Sequence, residues 1–290
     1  MPLKVIEAQS EHIGGLAQSC IAAFDEFNEQ HLLPQGTPRD VASAIEMYKK
    51  LLDSEKAHVL AAVQDGQVVG SAWLRLEDDV AAFEDVNTSP AKQGNGVARA
   101  IMTQGLEAAD RLGYKKIRLT QSAHNSTALS LYASLGFEVK ETFAEMKATP
   151  GQAPEALPAF EVRPMTEADL PAVEAFSKRH YKLNRRGDVA AVLAEGGSAL
   201  LVSRGDAFAG YLTLAGSAHG MAETEQDGLA LIFEAARLYL DKAIFCCPLS
   251  FPSLYRKALL GGYRTLEIHN LMAFGPYDRP EGIWMPSSAY

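Results

Sequence analysis

Cysteine is scarce in this 290-residue chain: Cys20, Cys246 and Cys247 make an odd count without metal-ligand spacing. Adjacent cysteines rarely bond to each other, so reduced core thiols in a reducing compartment are expected. The seven histidines are scattered with no i, i+4 pairing, a pattern that argues against a bound metal. Long apolar runs are missing as well, none approaching the roughly 18 residues that cross a bilayer. The opening Met-Pro-Leu-Lys-Val-Ile runs straight into a strand-like pattern without signal-peptide character, so a cytoplasmic protein is expected. Positive charge is also short. The net charge is −9, with 14 basic against 20 acidic groups in residues 1–150 and 13 against 16 in residues 151–290. Nucleic acid and anionic membrane are therefore poor partners for the whole molecule.

What is present is the composition of a folded globular protein, 47% hydrophobic and 22% charged. The length suits two domains of about 130–150 residues, each able to bury a core without a disulfide or metal staple. Thr149 to Pro158, with three prolines and a glycine, reads as a linker between a domain at 1–148 and another at 159–290. The flanking segments resemble each other. Val5 to Ile13 aligns without gaps on Val162 to Leu170, each a short strand, a polar cap and an apolar-periodic helix. Helical stretches follow at Asp40–Leu52 and Asp188–Ala194. Two hairpins come next, turning at Asp65-Gly66 and at Gly205-Asp206, with Gly70 and Gly210 at matching points of their second strands. Both halves close with Gly136-Phe137 or Gly262-Tyr263 ahead of a last strand. The order β-α-α-β-β-β-α-β-α-β in each half predicts an α/β fold with a mixed sheet and helices on both faces, present twice.

One segment stands out in both charge and glycine. Residues 92–118 hold Lys92, Arg99, Arg111, Lys115, Lys116 and Arg118 against Glu107 and Asp110, a local net of +4 that suggests an anionic ligand. Within it, the strand Val80–Val86 leads through Asn87-Thr88-Ser89-Pro90 to Gln93-Gly94-Asn95-Gly96-Val97-Ala98 and an apolar-periodic helix. Glycines between strand and helix let backbone N–H groups converge on an anion at the positive end of the helix dipole, although an ordinary glycine turn has the same look. No Lys-Ser or Lys-Thr follows Gly96, as a nucleoside triphosphate loop requires. A dinucleotide fingerprint would place glycine where Arg99 stands and an acid where Thr120-Gln121 ends the next strand.

Gln93-x-x-Gly96-x-Ala98 resembles the acyl-CoA signature of the GNAT superfamily of N-acetyltransferases, Gln/Arg-x-x-Gly-x-Gly/Ala. Asn125, Ala128, Tyr132 and Gly136-Phe137 are similar to that family's next block, and the two blocks span Val80 to about Lys147. The resemblance implies a transferase that moves acetyl from acetyl-CoA to a primary amine of a small molecule or peptide; the sequence leaves monomer and homodimer both open. The backbone of Gln93, Gly94, Asn95, Gly96, Val97 and Ala98 would hold the CoA diphosphate. Val86 and Thr88 would pair with the pantetheine arm, Asn125 would contact it, and Tyr132 would protonate the departing thiolate. An alkylammonium acceptor titrates near pKa ~10 and must lose a proton before attack. Glu84 is favoured as the base over Asp85, which points to the other strand face. Glu77, Asp78 and Asp79 read as a solvated turn, and Asp25, Glu26 and Glu29 lie where the fold usually shapes the acceptor pocket.

The second copy reads as degenerate. Glu223, Glu225 and Asp227 occupy its would-be anion loop, with Asp227 read as the N-cap of a helix from Gly228 to Leu240. Ala258 stands where Tyr132 has its counterpart, and Tyr255 lies a helical turn too early. The tail from Met272 to Tyr290, rich in proline and aromatics, could pack at a domain interface or towards the cleft. A non-catalytic acyl-CoA sensor stays as the alternative, and a dinucleotide oxidoreductase is disfavoured by Arg99.

Overall fold

A computed structural model describes residues 2–31, 40–77, 79–151, 160–214 and 218–287. Asp78, Tyr290 and the linker from residue 152 onward lie outside the described residues. The first half runs β1 (Lys4–Glu7), α1 (Ile13–Gln30), α2 (Val41–Leu52), β2 (Ala57–Gln64), β3 (Gln67–Glu77), β4 (Val80–Thr88), α3 (Val97–Arg111), β5 (Lys116–Ser122), α4 (Ser126–Ser134) and β6 (Glu138–Ala148). The second half repeats that order: β7 (Glu161–Pro164), α5 (Leu170–Tyr181), α6 (Arg186–Ala194), β8 (Ala199–Arg204), β9 (Ala207–Thr213), β10 (Gly220–Ala222), α7 (Glu225–Leu238), β11 (Ile244–Pro248), α8 (Pro252–Leu260) and β12 (Tyr263–Phe274). A strand with no counterpart in the first half follows, β13 (Ile283–Met285). The start of each half is superposable in sequence, β1 and β7 being offset by 157 positions (161 less 4) and so are α1 and α5 (170 less 13). The α/β architecture and its internal repeat therefore stand as the sequence pattern implies.

Local chemistry explains the boundaries. Asp65 and Gly66 both have positive φ, 51° and 79°, the conformation that a two-residue hairpin needs. Asp40 begins α2 by accepting the Ser43 N–H at 2.7 Å on its carboxylate.

Two compact units result, residues 1–119 with 130–137 and residues 120–129 with 138–290. In the first, β1, β2, β3 and β4 pair antiparallel in that order and β5 joins β4 in parallel. Side chains alternate across this sheet. Val59, Ala61 and Trp73 pack with Leu16, Ala17, Cys20 and Tyr48 of α1 and α2. On the other face α3 approaches so closely that a Cβ at Gly105 would meet Phe83 at 2.3 Å.

In the second unit β7, β8, β9, β10 and β13 form one antiparallel sheet. Elsewhere in that unit β6, the closing strand of the first half, lies between β12 and β11, pairing with Tyr263–Ala273 on one edge and Ile244–Pro248 on the other. Compactness thus divides the chain differently from the proline-rich segment. No helix among the described residues is long and apolar enough to cross a membrane.

Candidate active site

β4 and β5 run together only from Val80↔Lys116 to Phe83↔Leu119. Beyond Phe83 the β4 backbone changes course. Trp73 of β3 faces Glu84, yet Ser71 faces Asn87, so three β4 steps are matched by two on β3. The extra residue is accommodated at Asp85, which takes φ 48°, a value rare for a residue with a side chain. Side chains hold this bulge. The Asn87 amide donates to the Asp85 carbonyl at 2.8 Å and to Ser71 Oγ at 2.7 Å, and accepts from Ser19 Oγ at 3.1 Å. Ser71 Oγ lies 3.0 Å from the Tyr48 hydroxyl, and Ser19 Oγ 2.9 Å from Ser89 Oγ. This buried network ties α1 and α2 to the bulge. Sequence reasoning passed over it, since Ser19, Tyr48, Ser71 and Asn87 are far apart in the chain and carry no motif.

After the bulge come Val86, half-buried, and Thr88, whose buried Oγ1 has no hydrogen-bond partner among the described residues. A short 3-10 turn at Pro90–Lys92 then delivers Gln93, Gly94, Asn95 and Gly96 to the start of α3. Gly94 and Gly96 have φ of 73° and 78°, and a Cβ on either would meet nothing within 4 Å. Gly96 occupies the N-cap in left-handed geometry with no side chain capping the helix. The N–H groups of Gly96, Val97, Ala98 and Arg99 meet no acceptor among the described residues. Four amides at the positive end of a 15-residue helix make a cradle for an anion. Around it, Asn95 Nδ2 donates to the Gln93 carbonyl at 3.1 Å and Gln93 Nε2 to Glu26 of α1 at 2.6 Å.

The remaining predicted residues divide. Tyr132 of α4, 7% exposed, packs its ring 6.2 Å from Phe137, which meets Phe83 edge-on. Burial pushes its phenol pKa well above the usual tyrosine value, so the hydroxyl keeps its proton. Glu84 is paired with Arg75 across β3 and β4 at 2.5 Å, and Asp85 Oδ2 lies 3.4 Å from Trp73 Nε1. Asn125 falls in the other unit and caps α4, its Oδ1 accepting from Ala128 N–H at 2.9 Å.

Two expectations change. The basic segment does not gather around the loop. At 1.5 Å per residue α3 carries Arg111 about 20 Å from Gly96; Lys115 and Lys116 pair with Asp110 and Asp79, and Arg118 is buried. Only Lys92 and Arg99 stand beside the glycines, Arg99 donating to Ser134 at 2.8 Å. Glu77 is not solvated either: it is 8% exposed and held by Lys56 at 2.9 Å. Asp79, bound to Lys116, is half exposed as expected of a turn.

These features agree with what comparison with known proteins finds. A family model, Acetyltransferase (GNAT) family, matches residues 22–137, from α1 through the loop to Phe137. Residues 22–137 form a domain of the GNAT family. A mycothiol acetyltransferase of Brachybacterium faecium is 35% identical over 96 residues, which make up 31% of this chain and 29% of that protein. The match thus spans less than a third of that relative's length. Over whole chains the fold is shared with a protein from Pyrococcus horikoshii (TM-score 0.74, 15% identity, 99% of this chain and 93% of the other). It is also shared with a tandem GNAT protein from the clavulanic acid biosynthesis pathway (TM-score 0.62, 13% identity, 96% and 100%). The chain is a tandem of two GNAT folds.

The second GNAT copy is closed at the same places. Helix α7, the counterpart of α3, is capped by Thr224, which with Asp227 satisfies both ends of a capping box. Thr224, not Asp227, is the N-cap, and the helix ends at Leu238; Asp227 sits inside the first turn, buried, with Arg204 3.3 Å away. The edge of β10 that corresponds to the splayed edge of β4 is paired with β13 through Gly220↔Met285, Met221↔Trp284 and Ala222↔Ile283. Ile283–Met285 of the tail, with Trp284, therefore pack as a strand on their own copy. Tyr255 bonds Thr265 at 3.0 Å, and Ala258 is fully buried. Among the described residues no cluster of His, Cys, Asp and Glu could hold a metal.

Proposed function

We propose that this protein is an acetyl-CoA-dependent N-acetyltransferase whose chemistry resides in the first copy, residues 1–148, with 149–158 as a linker and 159–290 as a degenerate copy. The observation that supports it most is the contrast between two equivalent helix starts: α3 presents uncapped amides behind glycines of positive φ, whereas α7 is closed by the Thr224–Asp227 capping box and carries Glu225 and Asp227 in its first turn. The backbone from Gln93 to Ala98 fits a diphosphate, and Val86 and Thr88 offer the strand edge that a pantetheine amide can pair with.

Acetyl-CoA supplies a thioester carbonyl, and the acceptor is a primary amine of a small molecule or peptide. The amine must reach the carbonyl uncharged, so a base has to take its proton. Glu84 is proposed for that role; because Arg75 holds its carboxylate, the transfer runs through water or after the ion pair opens. Backbone amides at the Asp85 bulge are suited to an oxyanion, being fixed by Asn87 before any substrate arrives. As the new C–N bond forms and the C–S bond breaks, Tyr132 gives its proton to sulfur.

The test is a melting scan with CoA and with NAD, followed by thiol release from acetyl-CoA across amines, amino acids and peptide N-termini. CoA should raise the melting temperature and NAD should not. A Gly96→Asp variant, which places a carboxylate at the cradle, should lose the CoA effect; an unchanged response would end the assignment.

A further inference from the structure

The second copy carries a polar cluster that its degenerate loop does not explain. In the sheet of that copy Tyr211, Met221 and Trp284 stand opposite one another on β9, β10 and β13, so their side chains share one face. Thr213 and His219 continue the face, joined through Thr213 N–H and the His219 carbonyl at 2.8 Å. Above it lie Tyr181 at the end of α5 and Arg185 in the turn to α6. The rings form a chain: Tyr211 to His219 at 5.4 Å, His219 to Tyr181 at 5.9 Å, and Tyr181 to Trp284 at 6.0 Å. The Arg185 guanidinium is 5.8 Å from the Tyr181 ring.

Three polar atoms in this cluster, the Tyr211 hydroxyl, His219 Nδ1 and Trp284 Nε1, are buried without a hydrogen-bond partner among the described residues. The side chains that carry them are at most 4% exposed. Native interiors seldom leave such groups unmatched, and three on one sheet face, linked through the Tyr181 ring that Arg185 also meets, are a concentration that asks for an occupant. Their chemistry says what kind. The indole N–H and the guanidinium only donate, and burial keeps the Tyr211 phenol protonated. Burial, then Arg185, drives the His219 pKa well below its usual value, so the imidazole is neutral and adds no charge. A donor set of this kind is complemented by a group that only accepts. Arg185 already shows the preference, its Nε lying 3.0 Å from Asp188 Oδ2. Asp188 is partly exposed, so the cluster reaches solvent along that ion pair. The rings of Tyr181, His219 and Trp284 line the cluster, so whatever carries that acceptor meets aromatic surface.

We propose that the helix-α5 face of the second copy binds a small aromatic carboxylate, its carboxylate received by Trp284, Tyr211 and Arg185 and its ring lying against Tyr181. The site is independent of the CoA cradle, so either can fail without the other.

The chain has two tryptophans, Trp73 and Trp284, which makes Trp73→Phe a single-tryptophan reporter of this face. Titrating that variant with benzoate should change Trp284 fluorescence saturably, and calorimetry on the wild-type protein should give the same affinity. Tyr211→Phe removes one oxygen and leaves the packing; with Arg185→Lys as a second variant, each should weaken benzoate about tenfold or more, as loss of a charged hydrogen bond does. CoA-induced stabilisation in both variants should be unchanged, which also certifies that they fold. Benzamide, of the same shape without the charge, should bind more weakly than benzoate. No saturable response, an affinity indifferent to Tyr211→Phe and Arg185→Lys, or equal binding of benzamide would each overturn the proposal, leaving enclosed water as the occupant.

Discussion

Tyr132 illustrates how packing sets chemistry at a single residue. Its ring is wedged against Phe137 and its pKa is raised by burial alone, so the phenol is an acid over the whole range in which an amine can be acetylated. Tyr132→Phe keeps the ring and removes the proton. We expect kcat to fall about 10²-fold while CoA affinity stays within about twofold, the signature of lost acid catalysis. The sign of the pH effect follows: an acid works while protonated, so raising its pKa moves its titration to higher pH. The wild-type pH–rate profile should show no alkaline limb from Tyr132 near pH ~10, the ordinary tyrosine value. A limb there that disappears in Tyr132→Phe would contradict the burial argument. At this scale the sequence was readable where a residue type is demanded by spacing, as for Gln93, Gly96 and Tyr132. It was unreadable where the demand comes from a neighbour in space. Nothing near Glu84 in the chain announces Arg75, and nothing near Asn87 announces Ser19 or Tyr48.

At the scale of elements, helix starts decide what each copy can hold. Gly96 stands in the left-handed region with open space where a Cβ would go, so Gly96→Ala meets strain but no clash. We expect a loss of about 1–2 kcal/mol in denaturant unfolding, from backbone strain alone, and weaker CoA binding as the first turn distorts. The second copy opens instead with acids that serve the fold. Asp169 accepts from Arg163 at 2.7 and 2.9 Å and from Thr166 N–H at 2.9 Å. The Arg163 hydrogen bonds are the largest cause of a carboxyl pKa lowered to about 2. A pKa lower in the folded than in the unfolded state means stability present above pH ~4 and lost as pH falls towards about 2. Arg163 is half exposed, so solvent screening leaves about 1 kcal/mol. Asp169→Asn should therefore unfold at lower urea than wild type at pH 6, and the difference should shrink as pH falls through about 2. Element order was legible because turns and periods are local: both hairpins and the offset of α1 and α5 were visible in the chain. β13 was not, because three residues between prolines and glycine carry no strand period, and only the unpaired edge of β10 makes them one.

Across the whole molecule, the closing strand of the first half finds its partners in the second. β6 exchanges hydrogen bonds with β12 along most of its length and with β11 on the other edge, and Phe143, Ala144 and Met146 are fully buried there. The proline-rich segment after Thr149 looks like a place to cut the chain, since composition marks where a chain is extended and polar. Composition is silent about which strand a neighbour will bond. A chain ending at residue 151 would keep Tyr132 and the whole Gly96 loop yet leave β6 with both edges bare and its apolar side chains in water. Bare edges recruit other chains, and each buried aliphatic or aromatic side chain returned to water costs about 1.5–3 kcal/mol. Several such residues would consume much of the 5–15 kcal/mol by which domains are stable. Residues 1–151 expressed alone should therefore aggregate or melt without cooperativity, and supplying residues 152–290 as a separate chain should rescue both solubility and CoA binding. A soluble, cooperatively melting 1–151 fragment that binds CoA unaided would show that β6 can close on its own half, and that the pairing with β11 and β12 is dispensable.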